Sequence, residues 1–90
     1  MDKIEEIFII AQEECAELIQ EISKIRRFGL ESTHRDGLSY RLKLTQEAGD
    51  VLAMIELMKA QGLFTDTELQ AAMAAKFLKL KTWSNIYEQD

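Results

Sequence analysis

Proline is absent from this 90-residue chain, cysteine and histidine each occur once, and acidic residues outnumber basic ones 16 to 11. Without proline, nothing forces a helix to break or kink from within. The lone Cys15 excludes an intrachain disulfide and carries no sign of an oxidising compartment. A formal net charge of −5 disfavours a surface built to track a nucleic-acid polymer, because such binding rests on Lys and Arg neutralising phosphates, and no nucleic-acid polymer is expected as a partner. No apolar run approaches the roughly 20 residues of a membrane span. The opening Met1-Asp2-Lys3-Ile4-Glu5-Glu6 is too acidic for a secretory signal. The expectation is therefore a cytoplasmic protein with no membrane partner.

What is present points to a folded helical chain. Hydrophobic residues make up 47% and charged residues 30%, a balance of ordinary globular proteins rather than disordered ones. Ninety residues support one domain, spanning 1–90, and so short a chain buries a modest fraction of its surface, which makes a core shared between subunits a reasonable expectation. Ile4, Phe8, Ala11, Cys15, Leu18, Ile22 and Ile25 recur at alternating steps of four and three, the spacing of a helix with one buried seam. That helix is predicted over 3–28, and Gly29 supplies its stop. A polar, turn-rich connection follows to Ser39. Leu44, Ala48, Val51, Ile55 and Met58 mark a second helix over 40–61. Thr65-Asp66-Thr67-Glu68 has the form of a capping box and opens a third over 66–82. The stretch from Trp83 to Asp90 is left to fray or to dock on a partner. The fold class expected is all-α, an antiparallel helical hairpin plus a third helix.

Two acidic patterns stand out on this frame. Glu13-Glu14-Cys15-Ala16-Glu17 lies in the first helix and Glu47-Ala48-Gly49-Asp50 in the second. Helical residues three apart sit about 60° from one another, so Glu14 and Glu17 form one ledge and Glu47 and Asp50 another, both bordering the apolar seam at the same offset. Facing ledges would make an all-oxygen cage. Such a donor set suits Mg²⁺ or Mn²⁺ and not zinc or copper, which recruit His or Cys. A di-iron bundle fits poorly, because no His accompanies the acids on either helix.

The order EExxE, a basic and polar connection, then ExxD entering an apolar helix resembles the MazG-like, all-α nucleoside triphosphate pyrophosphohydrolase superfamily. The resemblance runs from about Ile4 to Leu57, includes Lys24-Ile25-Arg26-Arg27-Phe28-Gly29, and fades toward the C-terminus. It implies that Glu14, Glu17, Glu47 and Asp50 are Mg²⁺ ligands. Glu13 is then secondary, either orienting or deprotonating the attacking water or bonding outer-shell water. The superfamily also implies a four-helix-bundle-type core completed by oligomerisation, as a homodimer or a dimer of dimers, with a nucleoside triphosphate as substrate. Lys24 and Arg27 follow the acidic ledge and are candidates for substrate phosphate, the competing reading being that they complement the helix dipole. Lys76 and Lys79 on the third helix join them, because the superfamily often draws phosphate contacts from a later helix.

Other residues read more plainly. Glu21 is a further ligand or a surface acid, with the surface acid preferred. His34 reads as a surface loop residue and Cys15 as a small core residue on the seam. Phe28, Tyr40, Phe64, Trp83 and Tyr87, at helix ends, read as packing residues before base-stacking ones. The function expected is Mg²⁺-dependent cleavage of a nucleoside triphosphate to the monophosphate and pyrophosphate. Its alternatives are a phosphoribosyl-ATP pyrophosphohydrolase and a non-catalytic helical oligomerisation module.

Overall fold

Three helices carry the chain in a computed structural model that describes residues 1–88: α1 (Lys3–Phe28), α2 (Tyr40–Ala60) and α3 (Asp66–Trp83). The last two residues of the tail expected to fray or dock, 89 and 90, lie outside the described residues. Among those described there is no strand, only an isolated bridge between Thr33 and Ser39 inside the α1–α2 loop. No helix among them is long and apolar enough to cross a membrane.

Local chemistry sets the helix ends. The Asp2 carboxylate accepts from the Glu5 N–H at 2.8 Å and opens α1. Gly29 closes it at φ 91°, a conformation that a side chain would strain, while its N–H donates to Ile25 O. Ser39 caps α2 by accepting from the Leu42 N–H at 3.1 Å. Thr65 and Glu68 form the predicted capping box, with reciprocal bonds of 3.1 and 2.9 Å. Helix α2 ends one residue earlier and α3 one residue later than their periodicity suggested, within the fraying of any helix end.

Helices α1 and α2 pack as a hairpin whose antiparallel sense appears in its facing side chains. Glu14 meets Asp50, Glu17 meets Glu47, and Glu21 lies toward Lys43. The stripe of α1 that α2 covers runs through Ile7, Ala11, Glu14, Leu18, Glu21 and Ile25, every member half-buried or buried. It is rotated from part of the predicted seam. Phe8, Cys15 and Ile22, about 60° to 100° around the helix, remain exposed. Cys15 is thus not a core residue in the single chain. Helix α1 has two adjacent apolar stripes, and one helix covers only one of them. Ile7, Ala11 and Met54 form the small core, flanked by Ile10 and Met58.

Helix α3 buries no residue, and Met73, Phe77, Leu78 and Trp83 stand exposed along or at the end of it. The consequence is an open shape of 39 × 37 × 15 Å with a radius of gyration of 16.0 Å, where a compact chain of this length would have about 12 Å. Its accessible surface is 7152 Å², against roughly 5,400 Å² for a compact monomer of this mass.

The connection between α1 and α2 folds tightly back onto both helices. His34 donates through its N–H to Leu38 O at 2.7 Å, and Tyr40 through its own to Ser32 O at 3.0 Å. The His34 ring lies 4.1 Å from the Tyr40 ring, and its Nε2 donates to Glu21 Oε1 at 2.7 Å. Glu21, read as a surface acid, is the most buried polar residue among those described, at 4% exposure, because α1 turns it under the loop. His34 is correspondingly no surface residue. Replacing His34 by Ala strips the partner from a buried carboxylate, so a loss of about 1–3 kcal/mol is expected in urea unfolding. Glu21→Gln is expected to lose less, since the amide still accepts from the ring. Equal stability of wild type and His34→Ala would refute a structural role for the pair.

Candidate metal centre

The two acidic ledges converge. Helix α1 presents Glu14 and Glu17 and helix α2 presents Glu47 and Asp50, with one carboxylate oxygen from each lying within 4.8 Å of all the others. The spacing follows from the fold: three-residue steps on two antiparallel helices bring i, i+3 pairs into register across the seam. Glu14 and Glu47 are half-buried, Glu17 and Asp50 exposed, so the cluster is seated on the hairpin and open on one side.

The electrostatics are those of an incomplete site. Glu14 Oε2 and Glu47 Oε2 are buried and have no hydrogen-bond partner. Buried acceptors are nearly always satisfied, so two orphans in one cluster call for a positive partner. Burial, followed by repulsion from Glu17, Asp50 and Glu47, pushes the Glu14 carboxyl above its ordinary value of 4.5. Burial, then Glu17 and Asp50, does the same to Glu47. An all-carboxylate donor set with two unsatisfied buried oxygens fits a hard divalent cation.

The chain matches no protein-family model, no curated protein and no solved structure.

The other residues singled out in the sequence are distributed unevenly around this cluster. Glu13 is exposed and stands outside the four converging carboxylates. Lys24 and Arg27 line a cleft beyond Glu21, at the loop end of the hairpin. Lys76 and Lys79 are exposed on α3, which meets the hairpin at its start through the Asp66–Lys59 ion pair, and neither lysine is among the residues of the cluster. Sequence reasoning missed the Glu21–His34 pair. Glu21 could have been found from its place on the face shared with Glu14 and Glu17, but nothing in the loop's composition marked His34 as its partner.

The raised carboxyls have a measurable consequence. Between 4.5 and their higher folded values, the native state binds more protons than the unfolded one, so stability falls as pH rises through that window. Asp36 and Glu68, whose carboxyls are lowered by hydrogen bonds to Lys43 and to Thr65, act oppositely and lose their contribution only on the acid side. In EDTA at fixed protein concentration, the urea midpoint is expected to decline as pH rises above 4.5, less steeply for Glu47→Gln. A rising midpoint in wild type over that range would contradict the clustering.

Proposed function

We propose that this protein is a Mg²⁺-dependent nucleoside triphosphate pyrophosphohydrolase of the MazG-like kind. The observation that carries the reading is the convergence of Glu14, Glu17, Glu47 and Asp50 with two orphaned buried oxygens among them. These four residues would hold Mg²⁺, with Mn²⁺ as a substitute. Bound there, the ion would supply Lewis-acid stabilisation of phosphate charge and a lowered water pKa. Glu13, exposed beside Glu14, is left the outer role of orienting water. Lys24 and Arg27, in the cleft at the loop end of the hairpin, would bind phosphate of the substrate. In-line attack of water on phosphorus breaks one phosphoanhydride bond and releases the nucleoside monophosphate and pyrophosphate.

The working form is a homodimer or a dimer of dimers. An excess of roughly 1,700 Å² over a compact monomer exceeds the roughly 800 Å² that each partner gives to a standard interface. The uncovered α1 stripe at Phe8, Cys15 and Ile22 and the apolar side chains of α3 supply the matching surfaces. A second copy completing a four-helix core is also the means by which Lys76 and Lys79 reach a cage.

The test is release of pyrophosphate and orthophosphate from a panel of ribo- and deoxyribonucleoside triphosphates, canonical and modified, with Mg²⁺ or EDTA. Metal-dependent pyrophosphate release is expected. No release from any nucleotide, with a melting temperature unmoved by millimolar Mg²⁺, would leave the exposed apolar surface as the sole functional feature and favour a non-catalytic oligomerisation module.

A further inference from the structure

Beyond the cage, the groove between α1 and α2 continues toward the loop. On α1 the face runs Glu14, Glu17, Glu21, Lys24; on α2 it runs Asp50, Glu47, Lys43, Tyr40, in the opposite direction. It ends in a cleft of about 540 Å³, within the size range of small-ligand sites. Lys24, Arg27 and Arg35 line that cleft, and none of the three belongs to an ion pair among the described residues. Arg41 is engaged with Glu31, Lys43 with Asp36, and Lys59 with Glu56 and Asp66, while Lys3, Arg26 and the lysines of α3, also outside the ion pairs, do not line the cleft. The one acid in the lining, Asp36, is neutralised by Lys43 at 2.7 Å and accepts from the Leu38 N–H. Three uncompensated cations therefore focus on one concavity in a chain whose net charge is −5.

The walls are preorganised. Tyr40 is buried, stacked on Phe28 at 6.0 Å and tilted against His34 at 4.1 Å, and the His34–Glu21 bond ties the loop that carries Arg35 to α1. Arginines held beside a lysine on a rigid wall suit a phosphate group, which accepts several charge-assisted bonds at once. A neutral base would use only the aromatic wall. Lys24 lies seven residues beyond Glu17 on nearly the same side of α1, about 10 Å along the helix. Cage and cleft thus adjoin one another along a single face of the hairpin.

We propose that this cleft is a second phosphate site, and that the preferred substrates of the cage are nucleotides carrying a phosphate monoester remote from the anhydride that is hydrolysed. The proposal rests on the pyrophosphohydrolase reading for its catalytic part, but the binding part stands separately. Two measurements keep them apart. In the first, adenosine 3′,5′-bisphosphate and AMP are titrated calorimetrically into wild type, Glu47→Gln and Lys24→Ala/Arg35→Ala. At least tenfold tighter binding of the bisphosphate is expected for wild type and Glu47→Gln, with the preference lost in the double variant. In the second, kcat/KM is compared for ATP, 3′-phosphorylated ATP and phosphoribosyl-ATP, and a preference of tenfold or more for one of the doubly phosphorylated nucleotides is expected. Equal binding of bisphosphate and AMP, or a preference that survives in the double variant, overturns the cleft. Discriminating binding without turnover of any nucleotide keeps the cleft and sinks the hydrolase; Mg²⁺-dependent turnover with equal binding does the reverse.

Discussion

Glu47→Gln is expected to lose pyrophosphate release by about 10³-fold while remaining folded and, without metal, becoming more stable than wild type. The first effect follows from removing one of four donors to an ion worth several kcal/mol to the transition state, where each 1.4 kcal/mol is about tenfold in rate. The second has a separate cause. Glu47 sits among Glu17, Asp50 and Glu14 with its Oε2 buried and unpartnered, and its carboxyl is pushed upward by burial and by those neighbours. Glutamine keeps the shape, removes the charge and can donate to a facing carboxylate. The same substitution should abolish the rise in melting temperature produced by Mg²⁺ in wild type, because linkage requires a native state that binds the ion. This combination separates a metal ligand from a structural residue, since damage to the fold lowers activity and stability together. Unchanged turnover, or an unchanged Mg²⁺-induced melting shift, would remove Glu47 from the site.

Phe77→Asp is expected to dissociate the assembly. In wild type, sedimentation equilibrium at micromolar concentration should give a dimer or tetramer, and the melting temperature should climb with protein concentration. Phe77 is half-exposed on a helix that buries nothing in the single chain. Burying one phenylalanine contributes about 1.5–3 kcal/mol, and a two-fold interface counts it twice, so the dissociation constant should rise by roughly 10² to 10⁴. Activity measured on dilution should fall in parallel, because Lys76 and Lys79 stand on the same helix and neither is among the residues of the cage in its own chain. A monomeric wild type whose melting is independent of concentration would contradict this reading and leave α3 without an assigned surface.

The helices themselves were legible residue by residue. The capping box at Thr65 and the stop at Gly29 act within one turn of chain, as do the caps at Asp2 and Ser39 that the structure adds, and an i, i+3 acidic pair is a ledge wherever a helix forms. The convergence of Glu14, Glu17, Glu47 and Asp50 was legible for the same reason, since two such ledges bordering apolar seams need only an antiparallel hairpin to meet.

The face of α1 that α2 covers was legible only in part. Of the seam read as Ile4, Phe8, Ala11, Cys15, Leu18, Ile22 and Ile25, the hairpin buries or half-buries Ile4, Ala11, Leu18 and Ile25, but it takes Ile7, Glu14 and Glu21 in place of Phe8, Cys15 and Ile22, which stay in the open. Periodicity gives the angular width of an apolar face, and a face wider than one partner helix can cover has more than one solution. The burial of Glu21 belongs to the same class. Its partner His34 lies 13 residues away in a loop, and a hydrogen bond across a loop leaves no period in the sequence. The cleft of Lys24, Arg27 and Arg35 likewise exists only once the loop has folded back. The elements, their ends and the chemistry of the acidic ledges follow from contacts a few residues apart, and so they are written in the order of residues. Which stripe is buried, which acid is sequestered and which cations share a cavity depend on how the chain returns to itself, and no local pattern carries that.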